Sequence, residues 1–268
     1  MGGLHAPLLI CVGIACIFVD GENLRHSLVD LFAQEFNKTD YLPRNADWAG
    51  LFDALTAQAR ATARLRTYWY VVEHIDFIPW GLHKLLTEPE KLERVVSRDE
   101  SIATELGRIA EPRERLVRVR QIAEELIAQE RRMKSRFDGW GAFQDGIMRR
   151  FDAIEFRRAG SIQYNLFDQT LGKEKAVDVK LATDLLELRG IYDIGVIVSG
   201  DQDYVPAVQA AKDSGKQIVN VSFLKRDGMV LPGGARRLNQ ATDRTVEMSY
   251  AELKAFLHFP PGAEASTG

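Results

Sequence analysis

Cysteine is scarce in this chain: two residues in 268, Cys11 and Cys16, both in one apolar stretch near the start. Their odd separation would turn them to opposite faces of a strand, which argues against a disulfide framework. A reducing, cytoplasmic setting is expected. Excess positive charge is also missing, since the formal net charge is −3. That excludes a globally basic nucleic-acid coat protein and leaves room for a local basic groove. No apolar run is long enough for a membrane. Pro7 to Val19 falls short of the ~20 residues a span needs, and Met1 to Ala6 carry no Lys or Arg for the charged region of a secretion signal. The better reading of this run is a buried first strand ending at Asp20, with a short extension before it. Internal repeats and low-complexity tracts are absent, and the tail from 259 to 268 reads as disordered.

Apolar strands alternating with helices are what the sequence does contain. "IACIFVD" is a compact run that ends on an acid, and "GENLRHSLVDLFAQEF" repeats leucines at helical spacing after it. "ADWAGLFDALTAQARATARL" predicts a second helix and "RLRTYWYVVE" a second strand rich in β-branched and aromatic residues. Further strands are expected in "FDAIEFRRAG", "YDIGVIVSGD" and "QIVNVSF", with helices in "VDVKLATDLLELRG" and "YVPAVQAAKDSGK". The alternation predicts a three-layer α/β/α sandwich on a mainly parallel sheet of five or six strands. Between the second and third strands, about Pro79 to Arg150 is far too long for a plain crossover. It contains "EPRERLVRVRQIAEELIAQERRMKSRF", with an apolar stripe at Leu116, Val119, Ile122, Leu126, Ile127 and Met133. The segment reads as a helical insertion, a cap or arm over the sheet edge.

In such sheets a ligand sits at the carboxyl ends of the strands, and acids gather there. "FVDGEN", "KEKAVDVKLATD" and "SGDQD" supply Asp20, Asp178, Asp201 and Asp203, with Asn23 as a neutral oxygen donor. Glu22 and Asp184 are reserves; Asp184 lies well over one turn beyond Asp178, on a different helix face. Two carboxylates about 4 Å apart repel by roughly 4 kcal/mol at an effective dielectric near 20. Hard cations such as Mg²⁺ or Mn²⁺ relieve that strain through oxygen ligands. Such an ion can activate a water and stabilise the leaving oxygen of a phosphodiester. The plainer readings are that these acids cap helices, Asp203 above all, or sit in an ordinary Gly-Asp turn. Agreement of three separated segments favours the metal. A phosphate-binding G-x-x-x-x-G-K-[ST] loop is absent, and "DGEN" breaks the DxDxT pattern of haloacid-dehalogenase-type phosphohydrolases.

The three motifs "FVDGENL", "KAVDVKLATDLL" and "VSGDQDYVPAVQAAKDSGKQIVNV" together resemble the NYN domains, in particular their LabA-like branch, within the PIN-like nuclease fold. The resemblance covers about 14–80 and 150–248, one domain over 14–248 interrupted by the insertion at about 79–150. It implies a PIN-like sandwich and a Mg²⁺- or Mn²⁺-dependent ribonuclease site. Carried over motif by motif, Asp20 and Asn23 match the first-strand pair, Asp178 the helix-start acid, and Asp201 and Asp203 the "SGDxD" pair. Glu22 receives no role. The insertion departs from a minimal domain and leaves three roles open: blocking the site, selecting a substrate, or mediating assembly, self-association included.

An acidic site repels RNA, so flanking cations are needed. Lys225, Arg236 and Arg237 follow the fifth strand, with Gly233 and Gly234 between them, and Arg132 and Lys134 lie in "RRMKSRF" of the insertion. These are the candidate phosphate contacts, although basic residues on a helix are commonly a solvated face. Tyr204 and Trp80 are candidates for stacking on bases, against the plainer expectation of core packing. His26 and His74 are given no part. The expectation is a metal-dependent endoribonuclease acting on single-stranded or structured RNA, in which Asp20, Asp178 and Asp201 hold the ion and Asp203 and Asn23 support it directly or through water. Its rival is a non-catalytic RNA-binding or scaffolding protein that uses the insertion as its interface.

Overall fold

The computed structural model describes residues 13–33, 35, 42–231 and 235–259. The extension before the first strand, Cys11, Gly233, Gly234 and the tail from 260 lie outside them. The chain begins β1 (Ile14–Asp20), α1 (Gly21–Leu31), α2 (Trp48–Gln58) and β2 (Ala63–Ile78). Four helices follow: α3 (Leu82–Leu85), α4 (Pro89–Val96), α5 (Glu100–Gly107) and α6 (Pro112–Arg150). Then come β3 (Ile154–Asn165), β4 (Thr170–Lys175), α7 (Val177–Glu187) and β5 (Ile194–Val198). The last elements are α8 (Val205–Asp213), β6 (Gln217–Leu224), β7 (Val230–Leu231), α9 (Arg236–Ala241), β8 (Arg244–Ser249) and α10 (Tyr250–Leu257). Among the described residues no helix is long and apolar enough to cross a membrane.

Two compact units emerge. One draws its described residues from Met1–Val71, Asp145–Arg158 and Val177–Gly268, the other from Val72–Gln144 and Ala159–Ala176. In the first, β1 lies between β2 and β5, β5 pairs with β6, and β6 with β8, every pairing parallel. The short β7 adds an antiparallel edge to β6. β1 is buried on both faces along all but its first residue, which is why its sequence is continuously apolar rather than alternating.

Aromatic side chains show the two layers of helices. On one face Phe18 meets Tyr68 and Tyr192 with ring centroids 5.7 and 5.5 Å apart. Gly195 lies there too: a Cβ at that position would come within 2.9 Å of Ile218 and 3.3 Å of Leu185 on α7. On the other face Trp69 sits edge-on to Trp48 and Phe52 of α2, at 5.0 and 5.6 Å, and stacks on Phe156 at 4.8 Å. Helix α8 packs beside α7, and α10 beside α2. The first unit is therefore the expected α/β/α sandwich.

The second unit holds the far halves of β2 and β3, the antiparallel β4 paired on β3, helices α3 to α5, and most of α6. Its core joins Leu82, Leu92 and Leu106 to Val119, Ile122 and Leu126 of α6. The stripe read from the sequence faces this core, except for Leu116, which is 43% exposed. The sheet is larger than the five or six strands expected. β4, "TLGKEK", has five exposed residues of six and so lacks the apolar alternation that marks a strand. β3 continues to Asn165 rather than ending at Gly160, so this unit takes in a hairpin besides the helical segment.

Candidate carboxylate site

β1 delivers Asp20 to the carboxyl edge of the sheet in extended conformation, where it caps α1. Its Oδ1 accepts from the Asn23 backbone N–H at 3.0 Å. Its Oδ2 accepts from Asn23 Nδ2 at 2.6 Å and Ser199 Oγ at 2.9 Å, with the Tyr204 hydroxyl at 3.2 Å. Gly21 has to be small: a Cβ there would stand 2.4 Å from the Tyr70 carbonyl oxygen. The close approach of α1 to β2 therefore depends on it.

The two other acidic segments meet at the same edge. Asp178 stands in the first turn of α7, and the Tyr204 hydroxyl reaches its Oδ1 at 3.0 Å. After β5, Ser199 accepts from the Asp201 N–H at 3.0 Å while donating to Asp20. The Asp201 side chain accepts from the Asp203 N–H at 2.9 Å, capping the 3₁₀ turn Gln202–Tyr204. Capping thus falls to Asp20 and Asp201. Asp203, the residue for which capping was the plainer reading, makes no cap bond, and α8 begins without one. Asn23 Oδ1 also accepts from the Gly200 N–H at 3.4 Å, closing the turn onto α1.

The charges are uncompensated. Burial pushes the Asp20 carboxyl up to about 6, against the donors from Asn23 and Ser199, and the negative charge of Asp178 adds to the rise. Asp178 is raised by burial and then by the charges of Asp201 and Asp203. Tyr204 is pushed far up by burial between two acids. Among the described residues none of the four acids forms an ion pair. Nor does any group of three or more His, Cys, Asp or Glu side chains there form a ready-made metal cage. The donor set fits a hard cation in its chemistry, being all oxygen and net negative. Asp20 is 2% exposed and fully engaged, so the oxygens with no donor belong to Asp178, Asp201 and Asp203.

Helix α9 packs against the 3₁₀ turn and carries Arg236 and Arg237, both exposed, at its start. Asn220 ties this helix to the site: its Nδ2 donates to the Ser199 carbonyl at 3.1 Å and to Asn239 Oδ1 at 2.6 Å. Lys225 is half-buried in the β6–β7 turn, where its N–H donates to Met229. Arg132 and Lys134 belong to the second unit; Arg132 is exposed, and Lys134 pairs with Asp138 at 3.2 Å. Glu22 pairs with Arg25 and His26. Tyr204 is 1% exposed, so its ring cannot stack on a base; Trp80, at 77%, is open to solvent. Sequence reasoning missed Ser199, and it missed the Tyr204 hydroxyl as the bridge between acids.

A parallel α/β sheet whose carboxyl edge collects, from three separated segments, acids with no ion-pair partner among the described residues defines a protein with an acidic edge site. The particular family follows from comparison: the chain belongs to the NYN domain family, whose model matches residues 102–249. NYN domains are part of the PIN-like nuclease superfamily. The match takes in Asp178, Asp201 and Asp203, and the strand bearing Asp20 lies before it. Among solved structures, the crystal structure of a protein of unknown function from Vibrio parahaemolyticus is 14% identical, with a TM-score of 0.41, over 92% of this chain and 96% of that one. No curated protein matches the chain.

Proposed function

We propose that the chain is a divalent-metal-dependent endoribonuclease of the LabA-like branch. The observation that carries this reading is the set of four carboxylates at one sheet edge with no cationic partner among the described residues. Family membership supports the nuclease class. Asp178, Asp201 and Asp203 would hold Mg²⁺ or Mn²⁺; Asp20, expected from the sequence as a direct ligand, joins Asn23 in support because Asn23 and Ser199 already engage its oxygens. The ion, when bound, offsets the clustered charge and supplies an activated water and stabilisation of charge at phosphorus.

The chain's own residues do the rest. Asp20 and Ser199 brace the turn that carries Asp201, and Asn23 holds that turn to α1. Arg236 and Arg237, on the helix beside the turn, bind backbone phosphates and offset the repulsion between acids and RNA. Lys225, Arg132 and Lys134 are further phosphate contacts, Lys134 the weakest because Asp138 already engages it. A cytoplasmic setting is part of the proposal, supported by the scarcity of cysteine.

A second reading, an RNA-binding protein without cleavage, is favoured by the lack of a ready-made three-carboxylate cage among the described residues. One assay separates the two. Labelled RNA is incubated with the wild-type chain in Mn²⁺, in EDTA, and with Asp201→Asn in Mn²⁺. The nuclease yields products only in the first. Bound but uncut RNA in all three identifies the binding protein.

A further inference from the structure

The Tyr204 hydroxyl stands 3.0 Å from Asp178 Oδ1 and 3.2 Å from Asp20 Oδ2. It has one proton to give. Asp20 Oδ2 already receives donors from Asn23 and Ser199, whereas Asp178 receives no other hydrogen bond among the described residues. The proton therefore goes to Asp178, the shorter of the two bonds. Asp178 is held by this one bond, at the start of a helix, facing the charges of Asp20, Asp201 and Asp203. Without it, like-charge repulsion and free rotation would both turn the carboxylate outward.

We propose that Tyr204 is the positioning residue of the carboxylate site: its hydroxyl, seated beside Asp20, holds Asp178 by Oδ1, so that Oδ2, the oxygen with no donor, would be the one left to a cation. This rests on the metal-binding reading above. The ring of Tyr204 is packed in the core at 1% exposure, so the hydroxyl is delivered by a rigid element. It would act through Asp178, without contact of its own to ion or RNA. Partners of this kind fix the orientation of a ligand, and their loss typically weakens metal binding by about 10- to 100-fold.

The same helix carries a control. Tyr70, also fully buried, donates its hydroxyl to Asp184 at 3.0 Å, and Asp184 is engaged by Arg157 and Lys180. Tyr70→Phe and Tyr204→Phe each delete one buried hydroxyl next to one aspartate of α7 and keep the ring. The experiment titrates metal-free wild type, Tyr204→Phe and Tyr70→Phe with Mn²⁺, reading free ion by electron paramagnetic resonance, alongside thermal melts. The expected result is Mn²⁺ affinity reduced about tenfold or more in Tyr204→Phe and held within about twofold in Tyr70→Phe.

Equal affinity of wild type and Tyr204→Phe overturns the proposal, as does an equal loss in Tyr70→Phe or no Mn²⁺ binding by wild type. Should Tyr204→Phe fail to fold, a Mn²⁺-loaded crystal structure of the wild type decides. Tyr204 within hydrogen-bond distance of Asp178 supports the role, and separation of the two overturns it. The two readings fail separately. Equal Mn²⁺ binding in a chain that still cuts RNA removes only the positioning role, while weaker binding by Tyr204→Phe in a chain that never cuts removes only the nuclease.

Discussion

Helix α7 carries two aspartates, Asp178 and Asp184, and they live in opposite electrostatic worlds. Each accepts a hydrogen bond from a buried tyrosine, Tyr204 and Tyr70 respectively. Asp184 also meets Lys180 Nζ at 2.8 Å and the Arg157 guanidinium. Despite its burial, those partners hold its carboxyl below the usual range. Among the described residues Asp178 meets no cation and has Asp201 and Asp203 nearby, and it is held above that range. A buried acid with cationic partners is part of the scaffold. One left among like charges is either a cost to the fold or a ligand for something absent from the chain, and this contrast is the physical case for a functional site here.

The comparison breaks most sharply under mutation. Asp178→Asn should abolish Mn²⁺-dependent RNA cleavage while slightly raising the melting temperature of the metal-free protein, because it deletes one of several like charges. Both effects are read from gel-resolved products and a thermal melt. Asp184→Ala should do the reverse at first: it strands Arg157 and Lys180 and costs about 3 kcal/mol in urea unfolding, with cleavage surviving wherever the protein stays folded. If Asp184→Ala leaves stability untouched, the two aspartates do not differ as argued.

Acid titration sharpens the same contrast. The Asp20 carboxyl sits at about 6 in the folded chain, against about 3.9 unfolded. The folded state thus keeps a proton that the unfolded state has released. Asp20 therefore adds stability that is complete below about pH 4 and lost as pH rises through 6, up to about 3 kcal/mol. Asp184 has the opposite sign: its contribution is present above about pH 4 and lost as pH falls. In the metal-free protein, Asp20→Asn should flatten the fall in melting temperature between pH 4 and 6. An unchanged slope in that variant would remove Asp20 as its source. The smallest effect belongs to the rim: Arg236→Ala with Arg237→Ala should weaken RNA binding by about 1–2 kcal/mol and reduce its salt dependence by about two counterions. Filter binding over a salt series measures this, and an unaltered slope would mean that RNA does not pass over α9.

Much of this site was legible in the sequence, for a local reason. Asp20 closes the apolar run "CIFV", Asp201 closes "VIVSG", and Asp178 opens a helix, so chain direction and periodicity alone bring them to one edge. The choice of Asp178 over Asp184 followed from helical spacing, and the ion pairs of Asp184 show what its other face is for. What stayed hidden depends on contacts between residues remote in sequence. Tyr204 reaches Asp20 across 184 positions, and nothing local separates such a hydroxyl from an ordinary core tyrosine. Ser199 likewise reads as a turn residue until its partner 179 positions away is known. β4 was hidden because an exposed hairpin strand carries no apolar pattern. The α6 stripe, apolar at helical spacing, was plain.

The central claim is most directly tested by crystals of the wild-type chain soaked in Mn²⁺ and measured for anomalous scattering. A single strong peak bonded to Asp178 and to at least one of Asp201 and Asp203 is the result expected. At saturating Mn²⁺, a map with no peak at those carboxylates, their oxygens still engaged only with Tyr204 and the Asp203 amide, would contradict it.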